Sequence, residues 1–180
     1  MRPIRGSAMD AQTNDMTLHS THSTLRERIV EHLFVGQILR VLWRRRIVEV
    51  EVLHSEFDAY GYDLVMSHRD IVRHIQLKTS VEDGRADETK ASLSLLEKPS
   101  GCIIWIIVTP DLELRSYLWF GGSPGEPMPD IRKNKVARHS KGDAQGTKNE
   151  RANHRVIRRT HFKNLDTLDD VLFQLFGSFA

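Results

Sequence analysis

Three polar side chains within residues 61–80 have types and a spacing that suit the binding of a divalent cation. Asp63 lies in the first half of this stretch, and Gln76 and Lys78 lie two residues apart in the second half. A carboxylate with one or two neighbouring carbonyl oxygens can hold Mg²⁺, which keeps several of its waters and binds phosphate. A lysine beside such an ion can position a water molecule or stabilise the charge on a phosphoryl group. These residue types therefore suit metal-assisted hydrolysis of a phosphate ester.

The positions of these residues in two predicted strands bring their side chains together. The stretch predicts a β-hairpin, and a two-residue turn at 68–69 pairs Asp63 with His74. Because alternate side chains of a strand lie on one face, His74, Gln76 and Lys78 share a face. Asp63 lies on that face too, diagonal to Gln76 at roughly 7–8 Å between the backbones. A slip of the register by one residue would separate the groups.

Further oxygen ligands lie close by in the sequence. The backbone carbonyl of Leu77, between the glutamine and the lysine, is a natural extra ligand for a metal held there. Glu56 and Asp58, in the loop before the hairpin, either supply a carboxylate to a second metal or only solvate a turn, and Glu56 is the better candidate of the two. A strand histidine such as His74 is more often packed or hydrogen-bonded than a metal ligand.

A long amphipathic helix precedes the hairpin. Thr24 and Glu27 form a T-x-x-E capping box, which predicts the start of the helix, and three arginines at 44–46 suit the negative end of the helix dipole. Apolar residues recur at helical spacing between these ends. They are Leu25, Ile29, Leu33, Phe34, Ile38, Val41 and Leu42.

The remaining elements are short strands and two further helices. The run at 102–108 lacks alternation, which is typical of a central strand buried on both faces, and the Gly- and Pro-rich stretch 121–130 predicts a loop. The predicted strands are 47–54, 62–67, 71–79, 102–108, 112–120 and 154–160, and the predicted helices are 86–98 and 165–176, the last capped by Asp166 or Thr167. The order predicts an α/β fold: an αβββαβ core with a mixed sheet flanked by helices, followed by a C-terminal strand and helix.

This order of elements, with GYDLV and HIQLK in the hairpin, resembles the core of the PD-(D/E)xK nuclease superfamily, which has the restriction-endonuclease-like fold. Asp63 occupies the place of the first acid of the motif, and Gln76-Leu77-Lys78 matches the (D/E)xK element. The glutamine departs from the general pattern but is similar to the Q-x-K variant of Mrr-type restriction endonucleases, which also carry a G-x-D strand. The resemblance covers roughly residues 24–109.

The resemblance implies a metal-dependent phosphodiesterase that cuts DNA, in restriction, defence or DNA repair, with Mg²⁺ or Mn²⁺ as cofactor. It implies that Asp63, Gln76 and Lys78 form the catalytic and metal-binding set. Many members add an acid from the first helix, a place that Glu31 matches and for which Glu27 competes. Many related nucleases cut as dimers, so the resemblance is compatible with a homodimer. The sequence does not indicate which face would form the dimer.

Positive charge is concentrated in the last third of the chain. Residues 131–163 hold eleven lysines and arginines and only two acids, although the net charge of the whole chain is +2. This segment is either a solvated surface or an arm that contacts DNA phosphates and releases their counterions. Its candidate nucleic-acid-binding residues are Arg132, Lys133, Lys135, Arg138 and Lys141.

The 180 residues suit one compact domain, residues 23–180, after a disordered leader of residues 1–22. The domain comprises the core (24–109), a basic loop (131–155) and a C-terminal strand and helix (155–177). The single cysteine, Cys102, excludes a disulfide framework and a cysteine-based zinc cluster. The first twenty residues lack the apolar run of a signal peptide and no later run suits a bilayer span, so we expect a cytoplasmic protein.

Two other classes of function remain open. Gln76 brings no negative charge, so the first alternative is a non-catalytic member of the same fold that binds nucleic acid or a partner protein. The second is a structural subunit or an antitoxin-like interaction module. Salt distinguishes the partners, because DNA binding weakens steeply as the salt concentration rises.

Overall fold

The computed structural model describes residues 19, 21–55, 60–139 and 149–179. The helices in these residues are α1 (Ser23–Arg44), α2 (Leu93–Leu96) and α3 (Leu168–Phe176), with a 3-10 turn at Arg159–His161. The strands are β1 (Val50–His54), β2 (Leu64–His68), β3 (Ile71–Val81), β4 (Glu88–Ser92), β5 (Gly101–Val108), β6 (Leu114–Gly121), β7 (Val136–Arg138), β8 (Glu150–Arg158) and β9 (Lys163–Leu165). Most of the predicted leader, residues 1–22, lies outside the described residues. None of the described helices is long and apolar enough to cross a membrane.

The described strands form two sheets. The larger has six strands in the order β1-β2-β3-β5-β6-β9, and the smaller has three in the order β4-β8-β7. The pair β3–β5 is parallel and the other neighbours in the larger sheet are antiparallel. The prediction of an α/β fold with a mixed sheet and flanking helices is confirmed, whereas the second sheet is not apparent from the sequence.

Each face of the larger sheet is covered by a different layer. Helices α1 and α3 pack on one face, where Phe34 of α1 and Ile104 of β5 belong to the same apolar core. The smaller sheet packs on the other face, where Ile157 of β8 and Trp105 of β5 belong to a second core. β5 lies between the two layers, and all eight of its residues are buried. The prediction that 102–108 is a central strand buried on both faces is therefore confirmed.

The helix predicted at 86–98 is wrong over most of its length. Residues Glu88–Ser92 form β4, and α2 is a single helical turn after it. All five residues of β4 pair antiparallel with β8, and Ala91 is fully buried in the second core. This long-range pairing outweighs the local helix propensity of the segment.

The capping residue predicted for α3 is confirmed, whereas the one predicted for α1 is wrong. α1 begins at Ser23 after His22, which makes no side-chain capping hydrogen bond, so the capping box predicted at Thr24 is wrong. α3 has the predicted cap at Thr167, whose hydroxyl accepts from the N–H of Asp170 at 3.1 Å. The carboxylate of Asp170 accepts in return from the N–H of Thr167 at 3.0 Å, which satisfies two otherwise unpaired N–H groups.

α1 buries a different apolar face from the predicted one over its first half. Its buried apolar residues are Val30, Phe34, Ile38 and Leu42. Three residues of the predicted face are exposed instead: Leu25, Ile29 and Leu33. The first half of α1 therefore presents to the core a face that also carries a charged residue, Glu31.

The hairpin of β2 and β3 has its turn one residue later than predicted. His68 pairs with Ile71, so the turn holds residues 69 and 70, and Arg69 takes a positive φ of 53°. His68 stays in β2 because its ring packs against Phe176 and its Nδ1 donates to the carbonyl of Glu49 at 2.8 Å. These contacts hold His68 at the end of β2.

The later turn shifts the register of the whole hairpin by two residues. Leu64 pairs with Ile75, and the N–H of Asp63 also donates to the carbonyl of Ile75, so Asp63 lies beside Ile75 at the end of the ladder. The predicted pairing of Asp63 with His74 is therefore wrong. A shift of two residues leaves the side chains of β2 and β3 on their original faces, whereas Asp63 precedes β2 and its carboxylate lies at the edge of β3.

Arg73 on β3 connects the larger sheet to the C-terminal helix. Its side chain is fully buried, and it donates to the carbonyls of Gln174 and Leu175 at 2.8 and 2.9 Å. It also reaches the carbonyls of Gly122 at 3.1 Å and Glu126 at 3.4 Å. Burial lowers the pKa of Arg73, but an arginine stays charged at any physiological pH. The guanidinium therefore satisfies carbonyl groups at the negative end of α3.

Candidate metal site at the open edge of strand β3

A cavity opens where β3 extends beyond β2. The hairpin ladder ends at the pair of Leu64 with Ile75, whereas β3 continues to Val81. The first half of α1 and the start of β4 border the edge of β3 that β2 leaves uncovered, and together they enclose about 540 Å³. The four predicted catalytic side chains all line this cavity: Glu31, Asp63, Gln76 and Lys78. The structure thus brings together residues from α1, from the segment before β2 and from β3.

Asp63 is held at the edge of β3 by two hydrogen bonds. Its N–H donates to the carbonyl of Ile75 at 2.9 Å, and its Oδ2 accepts from the N–H of Leu77 at 2.6 Å. The carboxylate therefore continues the hairpin ladder by one step beyond the end of β2. The N–H and the carbonyl of one strand residue point to the same edge. The carbonyl of Leu77 consequently faces the same open edge as Asp63.

Gln76 is the buried polar residue of the cavity. Its side chain is 7% exposed, and within the part of the chain that the structure describes its Oε1 has no hydrogen-bond donor. Leaving such an acceptor unsatisfied costs about 1–3 kcal/mol. A cation in the cavity would satisfy it, because amide oxygens are ligands of hard cations.

Glu31 rather than Glu27 is the inward acid of α1. Glu31 is 7% exposed, whereas the side chain of Glu27 is 62% exposed. The Oε1 of Glu31 accepts from Nδ1 of His54 at 3.0 Å, and Arg28 approaches both of its oxygens at 3.3 Å. Glu31 is therefore already partly neutralised, and a cation would have to compete with two basic side chains for it.

Lys78 places a positive charge at the other side of the cavity. It pairs in register with Trp105 of β5, whose indole N–H donates to Ser80 at 2.8 Å. No ion pair joins Lys78 to another described residue. Its ammonium group can therefore serve a bound anion.

The charges that line the cavity are predominantly negative. The described acids are Glu27, Glu31, Asp63 and Glu88, and the described bases are Arg28 and Lys78. Four acids against two bases attract a divalent cation and repel a bare phosphate. Among the described residues, no group of three or more His, Cys, Asp or Glu side chains is placed to hold a metal ion. The carboxylates of Glu31 and Asp63 with the amide oxygen of Gln76 suit Mg²⁺, which needs only one or two carboxylates.

His74 lies outside the lining of the cavity although it shares a strand face with Gln76 and Lys78. Its ring makes an edge contact with Tyr62, with 5.1 Å between the centroids. Burial lowers the pKa of His74, and the nearby charge of Lys98 lowers it further. His74 is therefore a packed, neutral side chain at neutral pH.

The basic residues are only partly available to a ligand. Arg132 pairs with Asp130 at 3.3 Å and Arg138 with Glu150 at 3.9 Å, while Lys133 and Lys135 are exposed. They lie in or just before β7, in the sheet whose strand β4 lines the cavity. Lys141, Glu56 and Asp58 lie outside the described residues. The described part of the basic segment therefore forms a surface of the smaller sheet.

Sequence reasoning missed the two residues that bind Glu31. The contact of Arg28 with Glu31 could be predicted from the sequence, because residues three apart on a helix are neighbours. The contact of His54 could not, since only the packing of α1 against β1 brings it within 3.0 Å of Glu31.

No protein-family model matches this chain, and no curated protein matches it. The functional interpretation therefore depends on the geometry of the cavity and on the resemblance of its motif.

Proposed function

We propose that the chain is a metal-dependent DNA endonuclease-like phosphodiesterase with a restriction-endonuclease-like core, acting in restriction, defence or DNA repair. One observation supports this more than any other: the Oε1 of Gln76, which has no donor among the described residues, is buried at an acidic cavity that Asp63 also lines. The order α1, β1, β2, β3 and β5 supports the predicted core in part, since β4 and the single turn α2 stand where the second helix was expected. The Q-x-K sequence on β3, with the carboxylate of Asp63 hydrogen-bonded to the N–H of its middle residue, supports the superfamily.

Three oxygen donors at the edge of β3 fit the proposed ion. Asp63, the amide oxygen of Gln76 and the carbonyl of Leu77 would hold Mg²⁺ or Mn²⁺, and Glu31 would bind it directly or through water. The bound ion would polarise a phosphoryl oxygen and lower the pKa of a water molecule. Because Mg²⁺ keeps several waters, a site with few protein ligands leaves room for a substrate phosphate.

The remaining chemistry belongs to the side chains of the chain itself. Lys78 donates hydrogen bonds to the phosphoryl oxygens, whose negative charge grows in the transition state. Asp63 is preorganised for its role by the N–H of Leu77. The exposed Lys133 and Lys135 add phosphate contacts that give affinity without sequence specificity.

Cleavage of supercoiled plasmid DNA in Mg²⁺ or Mn²⁺ tests the proposal. We expect the wild type to nick the plasmid, and Asp63→Asn and Lys78→Met to reduce the rate at least 100-fold, since removal of one such group commonly costs about 10²–10³. Glu113→Gln, an exposed acid outside the cavity, is the matched control and should cut like the wild type. If both cavity variants cut as fast as the wild type, the site is misassigned.

A non-catalytic binding module is the second candidate, and the state of the cavity acids supports it. Gln76 is uncharged, and Glu31 is already paired with Arg28 and His54. Calorimetric titration with Mn²⁺ separates the two candidates. Saturable binding that Asp63→Asn abolishes favours the nuclease, whereas DNA binding without Mn²⁺ binding favours the module.

A further inference from the structure

The outer face of α1, opposite its buried face, carries a second apolar stripe. Its members are large side chains that are well exposed: Leu25 (59%), Ile29 (38%), Leu33 (40%), Leu39 (42%) and Trp43 (66%). Two exposed polar residues, His32 and Arg40, lie within the same face, whereas a surface helix normally has polar residues across all of it. Together the five side chains expose on the order of 500 Å² of apolar surface, which is at the upper end for one patch on a monomer.

The stripe is symmetric about Gly36. Leu33 and Leu39 lie three residues before and after this glycine, and Ile29 and Trp43 lie seven residues before and after it. Steps of three and seven residues return to nearly the same face of a helix. In an antiparallel helix pair with a two-fold axis, a residue n positions before the axis meets the residue n positions after it. The pattern is therefore complementary to itself.

Gly36 has no evident purpose within a single chain. It is exposed, a Cβ built on it meets nothing within 4 Å, and its φ is not among the positive ones. A glycine inside a helix costs roughly 0.5–1 kcal/mol relative to alanine. The missing side chain would allow a second helix to approach more closely than the usual 8–10 Å or so between axes.

We propose that α1 docks on α1 of a second copy of this chain, antiparallel and crossing at Gly36. An antiparallel pair keeps the two arginine clusters at 44–46 at opposite ends of the contact. A parallel pair would place the two arginine clusters side by side. Antiparallel helix dipoles also attract each other. The apolar stripe is smaller than the roughly 800 Å² per partner of a standard complex, so the polar residues around it supply the rest of the contact.

A cysteine at the two-fold axis tests the geometry directly. Gly36→Cys meets its own copy there and should form an intermolecular disulfide under mild oxidation. Arg44→Cys is the matched control: eight residues from the crossing, its two copies lie roughly 24 Å apart along the helices and should not cross-link. The native Cys102 is fully buried and should form no intermolecular disulfide.

Sedimentation of the full-length protein tests the association itself. We expect a concentration-dependent species of twice the 20.7 kDa monomer. The double variant Ile29→Glu/Trp43→Glu should shift the dimer dissociation constant at least 100-fold. Leu53→Glu, an equally exposed apolar position on β1, should not. These measurements do not depend on the chemistry of the cavity.

Each alternative occupant gives a different result. A wild type that stays monomeric throughout the concentration range overturns the proposal, because the stripe is then bare or covered by another part of the same chain. A dimer that survives the double variant, or in which Gly36→Cys does not cross-link, uses a different face and overturns it as well.

Discussion

Replacing Gln76 with glutamate is the most direct perturbation of the proposed metal site. Asp63 and Gln76 both line the cavity, and the carboxylate of Asp63 accepts a hydrogen bond from the N–H of Leu77, the residue next to Gln76. The wild-type side chain at 76 is 7% exposed, so the new carboxylate would lie beside Asp63 in a largely buried place. Two carboxylates repel each other there when no cation is bound, and both can bind a cation when one is present. The variant should therefore be less stable without metal and bind metal more tightly.

The magnitudes follow from the charges. Two unit charges at 4 Å interact by about 4 kcal/mol at an effective dielectric constant of 20, and the attraction to a divalent ion is about twice that. Desolvation of the new carboxylate offsets most of this gain. We expect a net gain of roughly 1.4–2.8 kcal/mol, which lowers the Kd for Mn²⁺ about 10- to 100-fold.

The same charges set the pH dependence of stability without metal. Burial and the charge of Asp63 raise the pKa of the introduced carboxylate above its unfolded value of about 4.3. The metal-free variant should therefore match the wild type below about pH 4 and lose stability as the pH rises through the raised pKa. At pH 7 we expect a loss of roughly 1–3 kcal/mol, which saturating Mn²⁺ restores.

Isothermal titration with Mn²⁺ and urea unfolding, each with and without metal, measure these effects. Gln37→Glu makes the same chemical change at a half-buried position of α1 that does not line the cavity, and it should not alter the affinity for Mn²⁺. If Gln76→Glu binds Mn²⁺ no more tightly than the wild type, the oxygen of residue 76 does not face a cation and the reasoning fails.

Two further predictions concern the core. Arg73→Met removes the donors of four backbone carbonyls and should lower the free energy of unfolding by roughly 3–5 kcal/mol in urea titrations followed by circular dichroism; a loss below about 1 kcal/mol would show that these carbonyls find other partners. Burial raises the pKa of Cys102 from 9.0 to about 12. Burial of the neutral thiol therefore stabilises the fold below pH 9, and this contribution is lost as the pH rises towards 12. At about pH 8 the thiol should react with Ellman's reagent only after the protein unfolds, and rapid labelling of the folded protein would contradict this.

Some elements could be predicted because their signal is local. The uninterrupted apolar run at 102–108 requires burial on both faces, and β5 is central in the sheet. Thr167 and Asp170 cap α3 through contacts three residues apart. The alternation along β3 also survives any even shift of register, which is why Gln76 and Lys78 were correctly placed on one face.

Other features depend on partners far away in the chain. β4 forms a strand because β8 pairs with it from more than sixty residues away. The hairpin turns at 69–70, and His68 before the turn packs against Phe176, which is far away in the chain. The first half of α1 has two apolar faces, and a single helix contains no information about which of them meets the sheet.

The candidate site shows the same division between local and distant information. The amino-acid sequence alone determined the identity and spacing of Asp63, Gln76 and Lys78, since strand alternation and the Q-x-K spacing are properties of a few consecutive residues. Only the tertiary structure decided that Glu31 faces the same cavity, that His54 and Arg28 partly neutralise it, and that the Oε1 of Gln76 is buried without a donor among the described residues. Distances and burial arise from the packing of α1, β3 and β4, and no residue pattern along the chain encodes them.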